Sequence, residues 1–272
     1  MKKLFTRILA LVLGITCLFT ATACGKSDPK TVTIGYTDYA PMNYENEKGE
    51  LVGFDTELAQ KIFGDLGYEI RFKLIDWENK YMELNSGTID CIWNGFTANV
   101  ADDDGVQRSD KVDFSYNYMQ NAQCVIRKNT TAELSSSAEL IGKSVAFETG
   151  SAGETYVKGI DDGTDGDINK KAVSSQMAAV REVNAGTAQY AVVDILLAQS
   201  LASQGDYASI VINTSIVIDV EYYAIGFKKG SDLTAKVNEK IVELAGSGYL
   251  ASLAQKYGVS TQVILDYTDQ IA

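Results

Sequence analysis

Asp194 closes the apolar run Tyr190-Ala-Val-Val-Asp194. A carboxylate at the C-terminal end of a buried strand sits where α/β sheets place their contacts to small molecules. The triplet Gly150-Ser151-Ala152 stands just before a helical stretch opening at Glu154. Its backbone N–H groups are therefore free to hold an anion, and Ser151 can cap the same helix; the two roles are compatible. Histidine is absent from all 272 residues. That removes the Ser-His-Asp class of hydrolase and the commonest metal ligand. Neither a catalytic group, a metal site nor a cofactor is expected.

The N-terminus sets the compartment. Lys2, Lys3 and Arg7 precede the apolar run Ile8 to Phe19, and Ala21-Thr22-Ala23 stand before Cys24. This is the layout of an export leader over residues 1–23, with an apolar run short for a membrane-spanning helix. The small residues before Cys24 resemble a bacterial lipobox, although Ala21 stands where leucine is usual. Lipid on Cys24 would anchor the chain to the outer face of the cytoplasmic membrane without a spanning helix. The leader carries three positive charges and no acid, so the mature 249 residues hold 21 basic and 36 acidic side chains, a net charge of −15. Nucleic acid and anionic lipid are poor partners for such a chain. Cys91 and Cys124 also survive processing; they read equally as a disulfide or as two buried thiols.

After a linker at residues 24–30 the chain alternates strand and helix patterns. Thr31–Gly35 alternates as a strand, Gly53–Phe63 carries a helical stripe of Leu58, Ile62 and Phe63, and Tyr68–Ile75 and Ile89–Trp93 return as strands. The rhythm restarts at Gln123 and runs through Ser144–Phe147, Ser175–Ala185 and Ala188–Asp194 to a helical C-terminus. Two β/α units without a flexible linker between them imply two α/β lobes with a cleft suited to a small molecule.

Several stretches occur in an order that resembles the bacterial extracellular solute-binding proteins of family 3, the amino-acid receptors of ABC importers. They are Tyr39-Ala-Pro-Met-Asn-Tyr44 with Gly49-Glu-Leu-Val-Gly-Phe-Asp55, Leu84 to Ile92 with Asn94-Gly-Phe-Thr97, Arg108 to Ser115, Gly142 to Ala146 with Thr149-Gly-Ser-Ala152, and Gly186 to Asp194. The resemblance implies a type II periplasmic-binding-protein-like fold. Each lobe would be a mostly parallel sheet flanked by helices, with two crossing strands joining them near Tyr118–Gln123 and Asp219–Tyr223. Lobe one would hold residues 30–119 plus 222–272, and lobe two residues 120–221.

The resemblance also assigns roles. A free L-amino acid presents a carboxylate and an ammonium, so the cleft needs a cationic fork and a fixed acid. Arg108 matches the carboxylate-binding arginine, for which a guanidinium is better shaped than lysine. Asp194 matches the ammonium-binding aspartate. Asn94, Gly95 and Thr97 complete the shell, Ser151 and Ala152 grip the carboxylate from lobe two, and Tyr39 and Trp77 are candidate walls for the side chain. Asp38 and Glu148 are further acids that could read a cationic side chain. The stretch from Thr97 to Arg108 is long for this family, and its Asp102-Asp-Asp104 either neutralises Arg108 or forms a solvated bulge. The implied partner is an ABC permease, reached by a monomeric receptor whose lobes close on a polar or basic amino acid. The same fold also serves cyclohexadienyl-dehydratase-like enzymes and sensor domains; Arg108 together with Asp194 favours the receptor.

Overall fold

The computed structural model describes residues 30–162, 166–201, 205–216 and 218–271; the leader and Cys24 lie outside them. The strands are β1 (Lys30–Tyr36), β2 (Tyr44–Glu45), β3 (Leu51–Val52), β4 (Tyr68–Leu74), β5 (Cys91–Ile92), β6 (Asp113–Phe114) and β7 (Met119–Lys128). They continue with β8 (Ser144–Glu148), β9 (Asn169–Val173), β10 (Tyr190–Asp194), β11 (Ile210–Ile212), β12 (Val220–Tyr223) and β13 (Gly226–Phe227).

Two sheets carry the lobes. The first runs β4-β1-β5-β13-β6 and the second β11-β7-β10-β8-β9, with β2 and β3 forming a separate hairpin. Both sheets are mixed. β1 pairs parallel with β5, whereas β13 pairs antiparallel with β5 and β6. In the second sheet β8, β9 and β10 run parallel, and β7 runs antiparallel to β10 and β11. The parallel strands come from β-helix-β crossovers; β7 makes the first passage between lobes and β13 follows the second, so each runs against its parallel neighbours.

Those passages are β7 and β12, paired antiparallel from Val220↔Ala122 to Tyr223↔Met119. The connection is a two-stranded antiparallel ribbon.

β10 is buried at all five positions because it lies between β7 and β8 with both faces covered. This explains the unbroken apolar run before Asp194. In the first sheet the helix Phe54–Asp65 buries Leu58, Ala59, Ile62 and Phe63 against the core. Its start needs glycine: Gly53 has φ 132°, and a Cβ there would lie 2.1 Å from the Met42 carbonyl oxygen. Cys91 and Cys124 are buried free thiols. No helix among the described residues is long and apolar enough to cross a membrane.

Candidate functional site

The C-terminal ends of the parallel strands converge where the sheets face one another. β8 ends in Glu148 and β10 in Asp194; β5 leads into Trp93-Asn94-Gly95. Gly95 has φ 59°, and its backbone N–H donates to Asp55 Oδ2 at 2.9 Å. A Cβ at Gly95 would meet the Tyr39 ring at 2.6 Å, so the turn needs glycine to let Tyr39 approach.

A continuous polar chain links the lobes. Tyr39 and Tyr223 share a hydroxyl–hydroxyl bond of 2.6 Å, and Tyr223 donates to Asp194 Oδ2 at 2.8 Å. Gln123 donates to Asp194 Oδ1 and, at 3.0 Å, to Glu221 Oε2. Thr97 Oγ1 donates to the same Glu221 oxygen at 3.2 Å, and the Thr97 carbonyl accepts from Arg108 Nη1 at 3.2 Å. Tyr39, Thr97, Arg108 and Asp194 are thus brought together through Tyr223, Gln123 and Glu221.

Arg108 is 1% exposed. Its Nε donates to Asp102 Oδ1 at 2.8 Å, its Nη2 lies 3.4 Å from the Gly150 carbonyl of the other lobe, and its guanidinium carbon sits 5.3 Å from the Phe96 ring centre. A guanidinium has five N–H groups. Three are engaged among the described residues, which leaves one on each terminal nitrogen as a fork.

The acids in the Thr97–Arg108 stretch divide. Asp102 is buried and neutralises Arg108, while also accepting from Tyr81 at 2.7 Å and Lys111 at 2.8 Å. Burial alone would raise its pKa, but the Arg108 charge with the Lys111 and Tyr81 bonds overcomes this and lowers it to about 2. Asp103 and Asp104 are exposed and pair with Lys158 and Lys111, each at 2.8 Å. The Asp103–Lys158 pair crosses between the lobes.

The neighbouring carboxyls behave oppositely. Burial raises the Asp194 pKa, against the hydrogen bonds from Gln176, Tyr223 and Gln123. Burial and the nearby Asp194 raise Glu221 to about 7 and Glu148 to about 8. Asp194 is also held at its backbone: Gln176, first residue of the helix Gln176–Ala185, accepts from the Asp194 N–H at 2.8 Å and donates to Oδ2 at 2.7 Å.

The remaining sequence candidates are placed as follows. Ser151 caps the helix Ala152–Asp162 by accepting from the Glu154 N–H at 3.1 Å, and Ala152 is its first residue. The Gly150 N–H is already bonded to Glu154 Oε2 at 2.6 Å, so one of the expected free donors is occupied. Trp77 is buried, perpendicular to Phe96 with ring centres 5.4 Å apart. Asn94 is bound within its own lobe, accepting from the Thr37 hydroxyl at 2.6 Å and donating to the Thr37 carbonyl and Asn43 Oδ1. Asp38 lies apart from this cluster, with a 4.0 Å surface pair to Arg181.

The sequence reading did not single out Gln123, Gln176, Glu221, Tyr223 or Lys80 as site residues. Lys80 carried a usable signal: it lies one helical turn before buried Leu84, a register position that normally takes an apolar residue.

The model of bacterial extracellular solute-binding proteins, family 3, matches residues 32–260. The chain belongs to that family. The arginine-binding extracellular protein ArtP of Bacillus subtilis is 27% identical over 91% of this chain and 96% of its own. The L-cystine-binding protein TcyJ of Escherichia coli is 26% identical over 80% of this chain and 79% of its own. Among solved structures, an ancestral arginine-binding protein bound to arginine superposes with a TM-score of 0.75 at 28% identity, over 84% of this chain and 97% of that one. An ancestral arginine-binding protein bound to glutamine superposes with a TM-score of 0.75 at 28% identity, over 84% of this chain and 98% of that one. As a family 3 member, the chain has the type II two-lobed fold of extracellular amino-acid receptors.

Proposed function

We propose that the protein captures a free amino acid with a polar or basic side chain between its lobes and presents the closed form to the permease of an ABC importer. The Arg108 fork takes the α-carboxylate, with Ser151 and Ala152 at the helix start on the other lobe and Thr97 beside it. Asp194 takes the ammonium, Tyr39 and Trp77 enclose the side chain, and Asn94 and Gly95 shape the wall between them. Lipid on Cys24 holds the chain at the outer face of the cytoplasmic membrane, where it acts as a monomer without catalytic chemistry. Residues 30–119 and 222–272 move as one lobe against 120–221.

The observation that carries this reading is the hydrogen-bonded chain from Arg108 on the first lobe to Asp194 on the second. A cation and an acid so linked are complementary to one zwitterion. The ligand replaces bonds within the cleft by bonds to both lobes and so favours the closed form. A thermal-shift screen against the common amino acids tests it, since a ligand in excess of its Kd raises Tm. A response to a keto acid or sugar, with none to any amino acid, rejects it.

A further inference from the structure

Two buried ionisable side chains in the cleft have no role in gripping an amino-acid head group. Glu148, at the end of β8, is 3% exposed, and its Oε1 has no hydrogen-bond partner among the described residues. Lys80, on the first lobe, is 2% exposed and reaches the carbonyl of Gly150, two residues after Glu148. Among the described residues its ammonium bonds only to carbonyls, Gly150 at 2.9 Å and Trp77 at 3.4 Å, and it sits 4.7 Å from the Tyr81 ring centre. It makes no ion pair within 4.0 Å among the described residues. An ammonium has three donors, so one is left. Lys80 and Glu148 act on one another electrostatically without touching, and both also feel Arg108.

We infer that Glu148 and Lys80 form a dipolar subsite selecting an amino acid whose side chain ends in a net-neutral group carrying both an acceptor and a donor. A carboxamide, a ureido group or a second amino-acid head group has this chemistry. The inference rests on the amino-acid reading above and narrows it.

Elimination by charge supports it. A purely alkyl side chain would leave the Glu148 oxygen and the Lys80 N–H buried and unpaired, a cost that sites built for hydrogen bonding convert into strong rejection. A guanidinium or ammonium would satisfy Glu148 but place a second positive charge beside Lys80 and Arg108. A side-chain carboxylate would satisfy Lys80 but face Glu148 and Asp194. A dipolar end group offers its acceptor to Lys80 and its donor to Glu148 and adds no charge. Burial lowers the Lys80 pKa to about 7, with Arg108 adding to the effect, and Glu148 is raised to about 8.

The test is isothermal titration calorimetry on the purified protein with L-glutamine, L-citrulline, L-cystine, L-arginine, L-glutamate and L-norleucine. At least one of the first three is expected to bind roughly tenfold more tightly than arginine or glutamate, and about a hundredfold more tightly than norleucine. In the double variant Lys80→Met with Glu148→Leu, the advantage over norleucine should shrink at least tenfold, with an unchanged circular dichroism spectrum as the folding check. The wild-type panel decides the matter even where that variant does not fold. Tightest binding of arginine, glutamate or norleucine overturns the subsite and leaves the amino-acid reading standing. Binding of no amino acid overturns both.

Discussion

The carboxylate of Asp102 holds Arg108 Nε at 2.8 Å, with the two side chains 7% and 1% exposed. A buried guanidinium is tolerated only with a matched partner, and Asp102 is fixed in turn by Tyr81 and Lys111. The long connection before Arg108 therefore supports the guanidinium from behind through Nε, away from its two terminal nitrogens. Asp102→Ala should lower stability by about 3 kcal/mol in urea denaturation, because it strands a buried charge. Asp104→Ala, at a 53% exposed position, should change it by less than about 0.5 kcal/mol. Equal losses would show that Arg108 does not depend on Asp102.

Arg108→Lys tests the fork itself. Lysine keeps the charge but loses the planar pair of donors and the Nε bond to Asp102. Amino-acid affinity should fall roughly a hundredfold by calorimetry, about the 2–3 kcal/mol of a charged hydrogen bond. Undiminished affinity would place the carboxylate elsewhere.

Asp194→Asn keeps the size of the side chain but removes the charge proposed above to take the ammonium. Binding of the α-amino acid should drop a hundredfold or more. The α-hydroxy analogue of the same ligand should lose much less. A similar loss for both would assign Asp194 a structural role.

Stability should depend on pH in an unusual direction. Glu148, Glu221 and Asp55 have folded pKa values of about 8, 7 and 7, each raised mainly by burial. Between their ordinary values near 4 and these raised ones, the folded chain binds more protons than the unfolded chain, so stability falls as pH rises. Each group contributes up to about 1.4 kcal/mol per pH unit inside its window. Asp102, lowered to about 2, acts in the opposite sense, and its stabilisation is lost as pH drops below about 4. Lys80, lowered to about 7, offsets part of the decline only above that pH. Tm is therefore expected to peak near pH 4 and fall towards pH 7, less steeply for Glu148→Gln. Parallel wild-type and variant profiles would argue against proton uptake at Glu148.

Lys158 on the helix Ala152–Asp162 bonds Asp103 across the lobes at 2.8 Å, with side chains 37% and 45% exposed. Such a pair is worth about 0.2–1 kcal/mol. Lys158→Ala should weaken ligand binding no more than about fivefold, through k-off, and 0.5 M salt should reproduce the effect in the wild type. A larger loss would mean that Lys158 contacts the ligand.

Local pattern made much of the architecture legible. The all-apolar β10 announces a strand buried on both faces, and the stripe Leu58, Ile62, Phe63 announces a helix covering a sheet. Gly53 and Gly95 mark turns whose left-handed backbone and close neighbours exclude a side chain. The ordered family motifs indicated Arg108 and Asp194, and the structure gathers both into one hydrogen-bonded network with Tyr39 and Thr97.

Tertiary structure alone decided the partners. Asp102 had two open roles in the sequence, and the choice depended on Tyr81, Lys111 and Arg108 folding around it. Gln123 and Glu221 lie 98 residues apart and meet because β7 and β12 pair between the lobes. Lys80 and Glu148 belong to different lobes, and their shared electrostatic field arises only where the strand ends of one sheet face the other. Periodicity and capping are set by neighbours within one or two turns of chain, so a sequence displays them. Charge compensation across a cleft is set by distances between remote segments, and only the folded chain determines those.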